Sequence, residues 1–244
     1  MSLTNVLTIK ETVSKDNPHS SSFTFHYLWP TMGLTMGNCL RRVLLTSIKG
    51  LALVGLEIND KSGPAKSKFT ALNGVRETAP ELILNCKKIV LETKKKDEVI
   101  HCLKLDVKNE LDQEYTVTAN DLQLSSDYEI KNPNLYLAKL APFSNLSMKL
   151  YWREDYGYHQ SEEQKKYLLG KENIIVLDTD YSPVKGDGVN FQINSVVVGL
   201  EEEKEELVLS IATTGTITPK EALQEALKII GHVVNISQEA LTKK

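Results

Sequence analysis

The chain has 244 residues, 41% hydrophobic and 25% charged, enough apolar material for one large domain or two modest ones of ordinary globular composition. Its formal net charge is −3, which excludes the overall basic footprint that neutralises a run of phosphates, so nucleic-acid binding by this chain alone is not favoured. No window approaches the run of about eighteen apolar residues that crosses a bilayer, and the start lacks the basic-then-apolar pattern of a secretory leader.

Residues 6–13 alternate apolar and polar side chains, and after a polar loop with Pro18 residues 23–29 place aromatics at every second position, so both stretches read as strands. His26 falls on the other side of the second strand, as a half-exposed residue without a catalytic role. Pro30 ends that strand. Two Thr-Met-Gly triplets, 31–33 and 35–37, supply glycines for a tight entry and hydroxyls able to cap a helix. Over residues 31–48 Met36, Leu40, Val43, Leu44, Ser47 and Ile48 share one apolar arc of that helix. Asn38, Arg41, Arg42 and Leu45 share the opposite arc. Guanidinium groups beside apolar surface suit a protein–protein contact, since the planar fork pairs with carboxylates while its stem packs.

Residues 51–58 read as a strand, 59–68 as a loop with Gly63 and Pro64, and 78–87 as a helix with Pro80 near its start. Residues 89–92 and 99–107 read as two strands around a solvated hairpin tip, Lys94-Lys95-Lys96-Asp97. Strands continue through 128–140, 146–152 and 155–158, separated by Asn-Pro and Pro-Phe-Ser-Asn turns, and 161–166 reads as an exposed acidic loop. Asp178 and Asp180 form a D-x-D pair, a weak cation signal without a third ligand. The three cysteines, Cys39, Cys86 and Cys102, stand in apolar runs and read as buried thiols of a reducing compartment.

Residues 189–198 and 207–213 read as a hairpin whose charge run, 201–206, is solvated, followed by a turn at 213–216. Thr218-Pro219-Lys220-Glu221 combines an N-cap, Pro at the first helical position and Glu at the third, so a helix begins there. Leu223, Leu227, Ile230 and Val234 line one side of it, with Ala222, Ala226, Ile229 and Val233 beside them. That stripe is wider than one small sheet needs to cover. Gly231 costs about 1 kcal/mol within the helix and permits close backbone approach.

The fold class is therefore α+β. Two helix-bearing chain ends, residues 1–49 and 183–244, form a discontinuous domain of a sheet plus two helices, with a mostly β domain, residues 50–182, inserted between them. No phosphate loop G-x-x-x-x-G-K-[ST], G-x-S-x-G elbow, H-E-x-x-H pair or acidic triad spaced for two magnesium ions is present.

Residues 33–45, G-L-T-M-G-N-C-L-R-R-V-L-L, resemble the G-x-T-x-G-N-x-L-R-R-[IV]-L-L helix of the alpha subunit of bacterial-type DNA-directed RNA polymerase. Residues 82–87 (L-I-L-N-C-K), 117–122 (V-T-A-N-D-L) and 181–184 (Y-S-P-V) are similar to further motifs of that family in the same order. The resemblance implies a homodimeric scaffold without catalytic residues, metal or cofactor, which holds the large beta and beta-prime subunits and meets DNA only through the complex, with no membrane contact. By the same resemblance Asn38, Arg41, Arg42 and Leu45 touch the large subunits, and Leu40, Leu44, Leu223, Leu227, Ile230 and Val234 serve dimerisation.

There are departures: Ile193-Asn194-Ser195-Val196-Val197 replaces the family's V-E-x-x-R, Thr213-Thr214-Gly215-Thr216 replaces its T-N-G-T turn, and Pro30 stands among residues usually charged. The stop at Lys244 implies the absence of the helical C-terminal domain that in relatives touches promoter DNA and activators. A truncated, divergent alpha with T-P-K-E-A-L at 218–223 looks like a plastid version, placing the chain in the chloroplast stroma, with a bacterial cytoplasm as the alternative. Two other functions compete: a free-standing dimerisation scaffold with an unrelated partner, and a metal-dependent enzyme using Asp178 and Asp180.

Overall fold

The structure, a computed structural model, describes residues 7–94, 99–170, 173–198 and 202–242. Most of the lysine tip at 94–97, together with Gly199 and Glu201, lies outside the described residues. In chain order the first elements are strands β1 (Thr8–Val13) and β2 (Ser20–Leu28), helix α1 (Met32–Thr46), strands β3 (Lys49–Asp60) and β4 (Gly63–Pro64), and helix α2 (Ala79–Lys87). Then follow β5 (Leu91–Thr93), β6 (His101–Asn109), β7 (Tyr115–Thr118), β8 (Leu122–Gln123), β9 (Tyr128–Ile130), β10 (Tyr136–Leu140), β11 (Ser144–Tyr156) and β12 (Tyr158–His159). The chain ends with α3 (Ser161–Gln164), β13 (Ile175–Val176), β14 (Thr179–Asp180), β15 (Val184–Val198), β16 (Glu202–Thr213) and α4 (Pro219–Thr242). These elements form two compact units, residues 1–49 with 182–244 and residues 50–181.

The first unit is an antiparallel sheet of order β1-β2-β16-β15 with α1 and α4 against one face. Alternation decides which face. Phe25 pairs with Leu207, and Leu209 lies between Phe23 and Phe191, so one side of the sheet is apolar and receives Leu40 and Leu44 from α1 and Leu223 and Ala226 from α4. The second unit is built on a sheet of order β13-β3-β11-β6-β8, with β4 paired to β3, packed around Leu56, Leu82, Leu105, Leu137 and Trp152.

Three sequence expectations fail here for physical reasons. Residues 89–92 and 99–107 are not one hairpin: β5 pairs with β9, and β6 pairs with β11 through a ladder from His101 to Asn109. The matching alternation of β6 and β11, which puts Leu103, Leu105, Leu146 and Met148 into one core, outweighs a short turn between chain neighbours. Residues 161–166 are not an open loop either. They form α3 and the start of a 3-10 turn, and Gln164 is buried with its Nε2 donating to the Tyr181 hydroxyl at 2.7 Å, beside Arg153 stacked 3.6 Å from the Tyr167 ring centre. Of the cysteines only Cys86 is buried, its thiol pushed up to about 12 by desolvation. Cys39 and Cys102 are exposed, because strand alternation and the helix's outer arc turn them away from the cores.

Candidate functional site

Helix α1 begins without a side-chain cap of its own and without an acid in its first turn. Thr31, at φ 71°, adopts the left-handed conformation, which for a β-branched residue costs about 1–2 kcal/mol. The expected hydroxyl caps are absent. The Glu205 carboxylate takes that place: the Thr31 N–H donates to Oε1 and the Gly33 N–H to Oε2, both at 2.7 Å. An anion there satisfies two orphan donors and complements the positive end of the helix dipole. The charge run at 201–206 is thus not merely solvated, since Glu206 also holds His26, Nδ1 to Oε1 at 2.6 Å.

Gly33 and Gly37 do more than ease the chain into the helix. A Cβ on Gly33 would stand 2.8 Å from Glu205 Oε2, and one on Gly37 would stand 2.6 Å from the Phe191 ring, so these two positions let α1 lie directly on β15.

The residues expected to face a partner separate into two groups. Asn38 and Arg42 are exposed, with Thr35, Cys39 and Thr46 on the same side of α1. The Arg42 guanidinium has no hydrogen-bond or ion-pair partner among the described residues. Arg41 does not join that strip: its Nη1 donates to the Val189 carbonyl and, at 3.3 Å, to Asn190 Oδ1, which binds it to β15 of its own protomer. Leu45 is half-buried against the unit's core. Helical phase put all four residues on one arc, but a long guanidinium stem reaches the nearest carbonyl, and the arc is wide enough for its flank to pack.

The expected dimer residues also divide. Leu40, Leu44 and Leu223 are buried in the protomer's own core, because the sheet face beneath them is apolar and large enough to enclose them. Leu227 is exposed, Ile230 is half-buried against the edge of the core, and Val234 is 49% exposed. Val233, Ile236 and Leu241 are exposed too, and the last two continue the apolar spacing beyond Val234. The buried residues of this 24-residue helix, Pro219, Ala222, Leu223 and Ala226, all lie in its first turns. At Gly231 a Cβ would meet nothing within 4 Å, so its own chain makes no close approach there.

Among the described residues no built ligand site competes with this surface. Asp178 spends its carboxylate on the Ser161 N–H at 2.8 Å, a bond that holds its pKa below the usual carboxylate range, and Asp180 lies on the short strand β14. Among the described residues no group of three His, Cys, Asp or Glu side chains is placed to hold a metal. The open groove lined by Arg76, Glu77, Glu81, Leu84, Asn85 and Lys88 has Glu81 already engaged as the cap of α2, bonded to the Thr78 N–H at 2.9 Å.

These elements define an α+β protein whose mostly β unit, residues 50–181, is inserted between two chain ends that fold together. Residues 56–182 match the RNA polymerase Rpb3/RpoA insert domain. The chain is 34% identical over 229 residues to the DNA-directed RNA polymerase subunit alpha of Oceanobacillus iheyensis, an overlap covering 93% of this chain and 68% of that one. It is 36% identical over 213 residues to that of Aquifex aeolicus (87% and 63%) and 34% over 201 residues to that of Leuconostoc mesenteroides (81% and 60%). The chain belongs to the family of DNA-directed RNA polymerase alpha subunits and spans 60% to 68% of the length of these bacterial relatives.

Proposed function

We propose that two copies of this chain form the alpha dimer of a DNA-directed RNA polymerase, and that the dimer is the platform on which the beta and beta-prime subunits assemble, one on each copy. The observation that carries this reading is α4, a helix about 36 Å long that is seated only at its start and leaves Leu227, Val233, Val234, Ile236 and Leu241 outside the protomer's core. The same stripe on a second copy matches its chemistry, and covering each such side chain contributes about 1.5–3 kcal/mol. Leu227, Ile230 and Val234 remain in the proposed dimer surface. Leu40, Leu44 and Leu223 act from inside by seating the helices that present it.

Asn38 and Arg42 form the proposed contact to a large subunit, while Arg41 and Leu45 fix α1 in place. Nucleotidyl transfer is assigned to the large subunits, with no catalytic residue, metal or cofactor in this chain. DNA is met through the assembled complex, which the chain's net charge of −3 supports. No helix among the described residues is long and apolar enough to cross a membrane. The sources of the relatives support a bacterial cytoplasm as the compartment, and none of the three relatives named above supports the plastid stroma.

Co-expression with the large subunits tests the reading. The wild-type chain is expected to sediment as a dimer and to recover two much larger polypeptides together with template-dependent nucleotide incorporation. Arg42→Ala is expected to remain dimeric while losing about 2–5 kcal/mol of binding to the beta subunit, since its partner's charge is left unpaired. Unchanged capture by Arg42→Ala would remove that residue's role. A chain that recovers only itself would favour the free-standing scaffold.

A further inference from the structure

The placement of α1 raises a mechanical question. A helix that rests on a strand through two glycines has little side-chain interlock over its first two turns, so some other contact must fix its rotation about its own axis. A slip of one residue would turn the helix by about 100° and bring Arg41 to the place of Arg42. Two contacts from the same hairpin oppose that slip. Arg41 is tied to Val189 and Asn190 on β15, and Thr31 and Gly33 are tied to Glu205 on β16.

The neighbourhood of Glu205 is specified in detail. Between the pairs Phe25–Leu207 and Leu28–Glu205, two residues of β2, His26 and Tyr27, oppose the single residue Glu206. This is a β-bulge, with Tyr27 at φ 65°, and a bulge of this kind re-aims the side chains beside it. The chain then turns at Trp29, whose carbonyl accepts the Met32 N–H at 3.1 Å, and brings residues 31–33 back to the carboxylate opposite Leu28.

We propose that Glu205 is a positioning residue for the partner-facing strip of α1: by bridging the Thr31 and Gly33 amides it locks the helix to the β15–β16 hairpin in the rotation that turns Arg42 outward. This rests on the scaffold reading above. An acid in the first turn of α1 would also stabilise the helix end, but it would not hold the helix to the hairpin. That difference separates positioning from plain stabilisation.

The test uses the full chain co-expressed with the large subunits, in wild-type form and as Glu205→Ala, Met32→Glu and the double variant Glu205→Ala/Met32→Glu. Glu205→Ala is expected to speed hydrogen exchange at the Thr31 and Gly33 amides by about tenfold or more and to weaken large-subunit capture by about tenfold, with the dimer retained. The double variant is expected to recover the thermal midpoint without recovering capture, and Met32→Glu alone to capture normally. Unchanged exchange at Gly33 in Glu205→Ala, or capture restored in the double variant, would overturn the proposal. A wild-type chain that captures no large subunit would remove the scaffold reading, and the exchange arm would still decide whether Glu205 holds the first turn of α1.

Discussion

Helices α1 and α4 belong to the same unit and both carry apolar stripes of helical period, yet one stripe is spent on the fold and the other is mostly left over. The buried positions of α1, Gly33, Gly37, Leu40 and Leu44, run along its length, and two charged contacts tie it to its own hairpin. Those of α4 stop at Ala226, and the helix continues to Thr242 with Leu241 87% exposed. Amphipathic period alone therefore does not tell a core helix from an association helix. The length of the stripe relative to the sheet beneath it does.

The largest test of this contrast compares one leucine with one valine. Leu44→Ala empties a fully enclosed site and is expected to cost about 2–5 kcal/mol of protomer stability in urea unfolding. Val234→Ala is expected to change protomer stability by less than about 0.5 kcal/mol while weakening self-association, seen as a dimer that dissociates on dilution. Equal losses of protomer stability in the two variants would break the distinction.

A smaller effect sharpens the account of how α1 is entered. Thr31 holds a left-handed backbone that glycine adopts freely, and its hydroxyl makes no cap bond, so Thr31→Gly removes strain and no hydrogen bond. The gain is expected to be about 0.5–1 kcal/mol, reduced from the full strain by glycine's larger unfolded entropy, and to appear as a raised thermal midpoint. A loss would mean that the side chain at this position contributes something the strain does not offset.

These residues also mark how far the sequence could be read. Helix starts written in local chemistry were legible: Thr218 to Glu221, and Pro80 behind Thr78. So were the paired strands at 189–198 and 207–213, because the information lies within a few residues or in a simple alternation. What was hidden lay far away along the chain. Glu205 reaches Gly33 across 172 positions, and inside a run of glutamates it looks like any solvated acid. Arg41 and Arg42 are adjacent and chemically identical, and only the position of the Val189 carbonyl decides which one is bound. The stripe on α4 was visible, but the division of its leucines and valines between core and surface depends on where the sheet ends, which no local pattern records.

The smallest effect follows from how the two helices are started. The cap of α4 is local: the Thr218 N–H and hydroxyl both donate to Glu221 Oε2 at 2.8 Å, and the Glu221 N–H donates to the Thr218 hydroxyl at 3.2 Å. The backbone bond to Thr218, and then the hydroxyl bond, hold the Glu221 carboxyl below its ordinary pKa. A carboxyl depressed in the folded state binds its proton less readily there than in the unfolded chain. Its contribution is therefore fully present above the unfolded titration near pH 4.3, as an order of magnitude, and is lost as pH falls through the lower folded value. Glu221→Gln keeps a capping-box side chain but cannot titrate. The wild type is expected to exceed it by about 0.5 kcal/mol near neutrality, a modest figure because the group is solvent-screened, and the gap should close as pH falls through the lowered folded value. A gap unchanged by acid would show that the charge adds nothing to this cap beyond its hydrogen bonds. The start of α4 would then depend on its hydrogen bonds alone, in contrast to that of α1, where the anion, Glu205, comes from another strand.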